Sequence, residues 1–147
     1  MSRTERGFTL LELIVVLVIG VILYALILAV PLRGATTSDL KAAARSLASG
    51  LRLAQTTAIT TRRDSTLTLD MDAREFVTSG DSQARKLPDG IDIQLVTAQT
   101  EVASERKGSI RFYPDGSSTG GRITVSANER KYLVDVDWLT GRVSISD

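Results

Sequence analysis

Gly116-x-Ser118-x-Gly120 has the glycine-serine-glycine spacing of a nucleophile elbow, the sharp turn that presents an activated serine. Such a serine needs a general base, and the usual base is histidine. The chain contains no histidine and no cysteine. A Ser-His-acid triad, a thiol nucleophile and a metal site built on Cys or His are therefore excluded. A phosphate-cradling loop is equally poorly supported, because no Lys follows the glycines. The run Phe112-Tyr113-Pro114-Asp115-Gly116-Ser117-Ser118-Thr119-Gly120-Gly121 reads instead as a turn opened by Pro-Asp-Gly and carried by small residues to the next strand. Asp115, Asp135 and Asp137 are the acids from which a membrane-anchored enzyme could draw a carboxylate pair. Carboxylates beside turns are ordinarily solvated, so no catalytic, cofactor-binding or metal-ligating residue is expected.

Glu12 poses a different question. Phe8 to Val30 is a 23-residue stretch in which Glu12 is the only group that titrates near neutrality. As a helix it would extend roughly 35 Å, enough to cross a bilayer core of about 30 Å with some tilt. An acidic residue at the centre of such a helix costs about 2.5–3.5 kcal/mol, and less near its end. These numbers alone allow two placements for Glu12: a solvated first-turn residue among headgroups, or a functional charge. Cleavage after Gly7 would leave an amine on Phe8, one helical turn from the carboxylate. The pair would be stabilising, within one chain or between packed neighbours, in a low-dielectric bundle of helices. A secretory signal peptide would be cut beyond the apolar run at small residues, and Ala29 to Ala35 offers no suitable pair. A buried helix of a soluble protein fits poorly, because Leu13 to Val30 is apolar on every face.

The elements that follow are legible from period and punctuation. Pro31 and Gly34 predict a kink or short break over Pro31–Thr37. Helix then resumes, with Ser38 or Asp39 expected to cap it. Leu40, Ala44, Leu47, Leu51, Ala54 and Ala58 fall on one face, which is read as packing against the rest of the domain. Gly50 weakens that helix by about 1 kcal/mol relative to Ala. After Arg63 the period becomes two. Ser65–Asp70, Phe76-Val77, Ile91–Thr97, Ser109–Tyr113, Arg122–Ser126, Lys131–Val136 and Arg142–Ser146 read as strands, separated by turn residues. Ala98–Lys107 reads as an exposed loop, and Trp138 as a packing residue of a hairpin turn in preference to a partner contact. The fold class is α+β: a long, kinked N-terminal α-helix followed by a domain of antiparallel β-strands, in one sheet or two small ones.

Charge adds little globally, with 18 Lys and Arg against 17 Asp and Glu. Locally, Arg63 to Asp147 holds 11 basic and 14 acidic residues, near −3, whereas Phe8 to Arg62 holds 5 basic and 2 acidic, near +3. Nothing here calls for nucleic acid as a partner.

Gly7 to Val18, GFTLLELIVVLV, resembles the N-terminal signature of the type IV pilin and type II secretion pseudopilin superfamily. The PDG-S-x-x-G-G loop and the Thr140-Gly141-Arg142 turn are similar to one branch of it. That branch holds the H-type minor pseudopilins (GspH) and the FimT/FimU-type minor pilins. The resemblance implies a non-enzymatic, cofactor-free filament subunit. It implies cleavage between Gly7 and Phe8 by a prepilin peptidase, N-methylation of Phe8, and an assembly role for Glu12. Residues 1–7 would be the leader and 8–30 the transmembrane and assembly helix. Residues 31–62 would be the kink and sheet-packing half, and 63–147 a periplasmic β-rich domain. The implied location is the bacterial inner membrane, crossed once. The implied partners are other pseudopilins, the major shaft subunit and the minor tip subunits. The implied task is support of protein export by a type II secretion pseudopilus. The alternative is a minor pilin of a type IV pilus, active in pilus priming or DNA uptake. Arg3 and Arg6 before the apolar run are matched by Arg33, Lys41 and Arg45 after it, so orientation rests on the resemblance.

Overall fold

A computed structural model of the protein describes residues 9–28, 35–98, 102–104 and 106–147. The chain forms two compact units, Met1–Arg33 and Gly34–Asp147. The first holds helix α1, Leu10–Leu28. Thr9 opens it: its hydroxyl accepts the Glu12 N–H at 3.2 Å, and its carbonyl accepts the same N–H at 3.1 Å. Thr9-x-x-Glu12 thus has the letter pattern of a capping box, and an acid in the first turn complements the helix dipole.

Helix α2, Thr37–Thr61, organises the second unit. Its cap is Thr36, not Ser38 or Asp39 as expected. The Thr36 hydroxyl accepts the Asp39 N–H at 3.2 Å, and the Asp39 carboxylate accepts the Thr36 N–H at 2.9 Å. Asp39 serves as the reciprocal partner because it sits three residues on, where its side chain reaches back. Those hydrogen bonds from Thr36 hold the Asp39 carboxyl below its ordinary pKa. The break expected over Pro31–Thr37 falls largely on residues 31–34, outside the described residues; Ala35 and Thr36 are not helical. Arg62 ends α2 in the left-handed region, φ 54°.

All six residues of the predicted stripe are buried, joined by Ala43, Ala48 and Gly50. Gly50 has a packing role that its propensity concealed. A Cβ there would stand 2.6 Å from Phe76 Cε2 and 2.9 Å from Leu67 Cδ1, so the missing side chain lets the sheet approach the helix.

Among the described residues the strands are β1 Ser65–Asp70, β2 Glu75–Thr78, β3 Asp81–Lys86, β4 Asp92–Thr97, β5 Val102–Ser104, β6 Lys107–Phe112, β7 Gly121–Ala127, β8 Arg130–Val136 and β9 Val143–Ser146. They form two antiparallel sheets, ordered β3-β2-β1-β6-β5 and β4-β7-β8-β9. Leu67 and Leu69 of β1, Phe76 of β2, and Ile110 and Phe112 of β6 point into the core; Ile123, Val125 and Val134 do so from the second sheet. The buried face of α2 belongs to this same core.

Two strands depart from expectation. β3 has the polar sequence DSQARK, and β5 lies inside Ala98–Lys107, read from sequence as a loop. Both are the outermost strands of their sheet. An edge strand is held by backbone pairing to one neighbour and needs no continuous apolar face, so periodicity does not announce it.

Candidate functional site

Glu12 stands in the first turn of α1, where every described side chain from Leu10 to Ala25 is exposed. The helix therefore presents one carboxylate at the start of an apolar rod with no cover of its own. Among the described residues no helix is long and apolar enough to cross a membrane. α1 as described covers 19 residues; Gly7, Phe8, Ala29 and Val30 lie outside the described residues.

The second candidate region is built from two turns that the sequence singled out separately. Pro114 to Gly121 links β6 of one sheet to β7 of the other. Asp137 to Gly141 links β8 to β9. The Ser118 N–H donates to the Trp138 carbonyl at 2.9 Å, and the Ser118 hydroxyl accepts the Gly120 N–H at 2.9 Å. Thr119 ties the loop back to Arg111 through two hydrogen bonds, 2.9 and 3.1 Å. Gln55 of α2 closes the assembly: its Nε2 donates to the carbonyls of Gly116 and Thr140, each at 3.1 Å. The sequence reading overlooked Gln55. Its signal is a long polar side chain bordering the apolar stripe of α2.

This arrangement disposes of the elbow pattern. Ser118 is buried and spends its hydroxyl on backbone, donating to the Asp137 carbonyl at 3.3 Å. The three aspartates are likewise engaged. The Asp115 carboxylate accepts the Ser117 hydroxyl and N–H, which hold its pKa below the usual range. The Asp137 carboxylate accepts the Thr140 N–H, the Thr140 hydroxyl and the Leu139 N–H, with the same effect. Asp135 pairs with Arg122 across β7 and β8. A carboxyl general acid needs a raised pKa, and both perturbed groups move the other way. Among the described residues no group of three or more acidic side chains is placed to hold a metal.

Trp138 is 66% exposed and Leu139 63% exposed, so the expectation that Trp138 packs inward is corrected. The five-residue turn binds itself through the Asp137 carboxylate, leaving the tryptophan ring no interior to enter.

Residues 43–141 match the family model described as type II transport protein GspH, a span that takes in Gln55, both turns and Trp138. The chain belongs to the GspH family. Residues 2–28 match the prokaryotic N-terminal methylation motif. The type II secretion system protein H of Xanthomonas campestris pv. campestris is 30% identical over 141 residues, covering 96% of this chain and 83% of that protein. Two solved structures share the fold. The type IV minor pilin FimU of Pseudomonas aeruginosa gives a TM-score of 0.59 at 12% identity, over 75% of this chain and 90% of that one. The minor pseudopilin EpsH of the Vibrio cholerae type 2 secretion system gives 0.56 at 17% identity, over 74% and 96%. As a GspH family member the chain is a structural pseudopilin and not an enzyme.

Proposed function

We propose that the chain is a minor pseudopilin near the tip of a type II secretion pseudopilus, supporting export of folded proteins across the outer membrane. It is held in the inner membrane by residues 8–30, with the sheet unit in the periplasm. The prepilin peptidase cuts between Gly7 and Phe8, Phe8 is N-methylated, and Glu12 neutralises an amino terminus as subunits join the filament. Other pseudopilins of shaft and tip are its partners. The observation that carries this reading is α1: an apolar rod, exposed from Leu10 to Ala25, with one carboxylate in its first turn. A helix of this kind needs lipid or other helices to cover it, and a filament core supplies both in turn.

Intact-mass measurement of the membrane-extracted chain tests the processing. Loss of seven residues and gain of one methyl group is expected. A chain beginning at Met1, or one cut beyond the apolar run, would refute the reading.

A further inference from the structure

Cations of the sheets and their turns are paired in part, Lys86, Arg130 and Lys131 having no ion pair among the described residues, whereas those of α2 have none at all. Arg85, Arg106, Lys107, Arg111 and Arg122 each lie within 4.0 Å of an aspartate oxygen. From Leu40 to Arg63 the sequence contains five basic residues and no acid. Among the described residues none of Lys41, Arg45, Arg52, Arg62 and Arg63 has an ion-pair partner. At about 100° per residue, Lys41, Arg45 and Arg52 fall within a sector of about 40°, spread over about 16 Å of helix. All three are exposed. Ile59, 48% exposed, continues the same line.

The flank they occupy is fixed by two contacts. Arg52 Nη2 donates to the Val143 carbonyl at 3.3 Å, on the open edge of β9, the last strand of its sheet. One turn further along α2, Gln55 grips Thr140. The cationic line therefore runs beside the turn that exposes Trp138 and Leu139. Unpaired cations next to an exposed tryptophan have the composition of a protein interface, where Trp and Arg dominate the binding energy. Three cations over this length are sparse for a polyphosphate, which is bound by dense Lys and Arg.

We propose that this flank of α2, with the Trp138-Leu139 turn, is a docking surface for an acidic face of a neighbouring filament subunit. Carboxylates of that subunit oppose Lys41, Arg45 and Arg52, and an apolar patch receives Trp138. The inference rests on the filament reading above.

The test uses the full chain in cells that make the other filament subunits. A photo-crosslinking amino acid replaces Thr56, exposed on the same flank; a control replaces Gln94, exposed on β4 of the opposite sheet edge. The expected product is an adduct with another subunit through a peptide rich in Asp and Glu, at Thr56 and not at Gln94. Lys41→Glu/Arg45→Glu should reduce it by about tenfold, since like charges at an interface repel. Changing the opposing carboxylates to Lys should restore it. The double variant leaves Arg52 and its bond to Val143 intact, so the fold is retained. No adduct, an adduct to lipid, nucleic acid or a second copy of this chain, or one indifferent to charge reversal would overturn the proposal. The mature mass is read in the same cells. A chain that is processed yet fails to cross-link refutes the docking surface alone, whereas an unprocessed chain refutes both readings.

Discussion

A side chain on Gly141 would overlap the carbonyl oxygen of Gly116, although the two residues belong to different sheets' connecting turns. Gly141 has φ +63° and Gly116 has φ +89°, both in the left-handed region. The two turns can approach this closely because each bends through glycine at the point of contact. Gln55 bonds to the Gly116 carbonyl and to that of Thr140, the residue before Gly141. This three-way junction joins both sheets to α2, and it is the physical content of the two sequence patterns that mark this part of the chain.

Gly141→Ala should destabilise the sheet unit by about 2–4 kcal/mol, combining a strained φ with a steric overlap. Gln55→Ala should cost less, about 1–3 kcal/mol, because it leaves two carbonyls without their donor. Thermal melting of the full chain in detergent micelles, followed by far-UV circular dichroism, ranks the two. Equal melting temperatures for both variants and the parent would show that the junction is not a source of stability.

Gly50→Ala separates propensity from packing. Propensity alone favours the substitution by about 1 kcal/mol. The added methyl meets the Phe76 ring and Leu67 inside a filled core, and overpacking costs about 1–3 kcal/mol. A net loss of stability is expected. Leu47→Asp, at a fully buried position, should be far worse and should leave little cooperative melting. A Gly50→Ala variant that melts higher than the parent would show that the ring and Leu67 yield freely.

Glu12→Ala should leave membrane extraction and the melting of the sheet unit unchanged, since Glu12 lies in the other unit and removal of a charge from lipid is favourable. Co-purification with other filament subunits should fall. Undiminished co-purification would refute the registry role and leave Glu12 as a first-turn residue that only suits the helix dipole.

Stability should fall with acid. Asp39, Asp70, Asp81, Asp115 and Asp137 have folded-state pKa values lowered, chiefly by hydrogen bonds their carboxylates accept. A lowered folded pKa means that the unfolded chain binds the proton first. The stabilisation is present above the unfolded value of about 3.9 and is lost as pH drops through the folded values. Melting temperatures recorded from pH 6 down to pH 2 should decline mainly below about pH 4. Asp137→Asn should flatten that decline. An unchanged slope would mean that the turn's hydrogen bonds do not distinguish carboxylate from amide.

Duplex DNA should not bind appreciably at physiological salt. Phosphate affinity needs clustered cations and falls steeply with salt. Arg62 and Arg63 adjoin Asp64, and four strand cations, with Arg106 in the turn between β5 and β6, are already paired with aspartates. A salt-sensitive mobility shift at micromolar protein, abolished by Arg62→Ala/Arg63→Ala, would move the reading from a secretion pseudopilus to a DNA-handling pilus.

Local rules of sequence determined the apolar helix with its single carboxylate, the buried face of α2 and seven strands. Each depends on a short-range period that a folded chain must obey: 3.6 residues for a helix with one face covered, two for a strand. The exclusion of histidine and cysteine chemistry needed only the residue list. Tertiary structure decided what had no period. β3 and β5 exist because β2 and β6 offer them backbone partners, not because of their own side chains. Gly50 changed from a weak point of a helix to the place where Phe76 and Leu67 fit. Trp138 lies outside because its turn closes on Asp137. Gln55, 61 residues from Gly116 and 85 from Thr140, was invisible in sequence because hydrogen bonding across such separations depends on where α2 lies over the sheets.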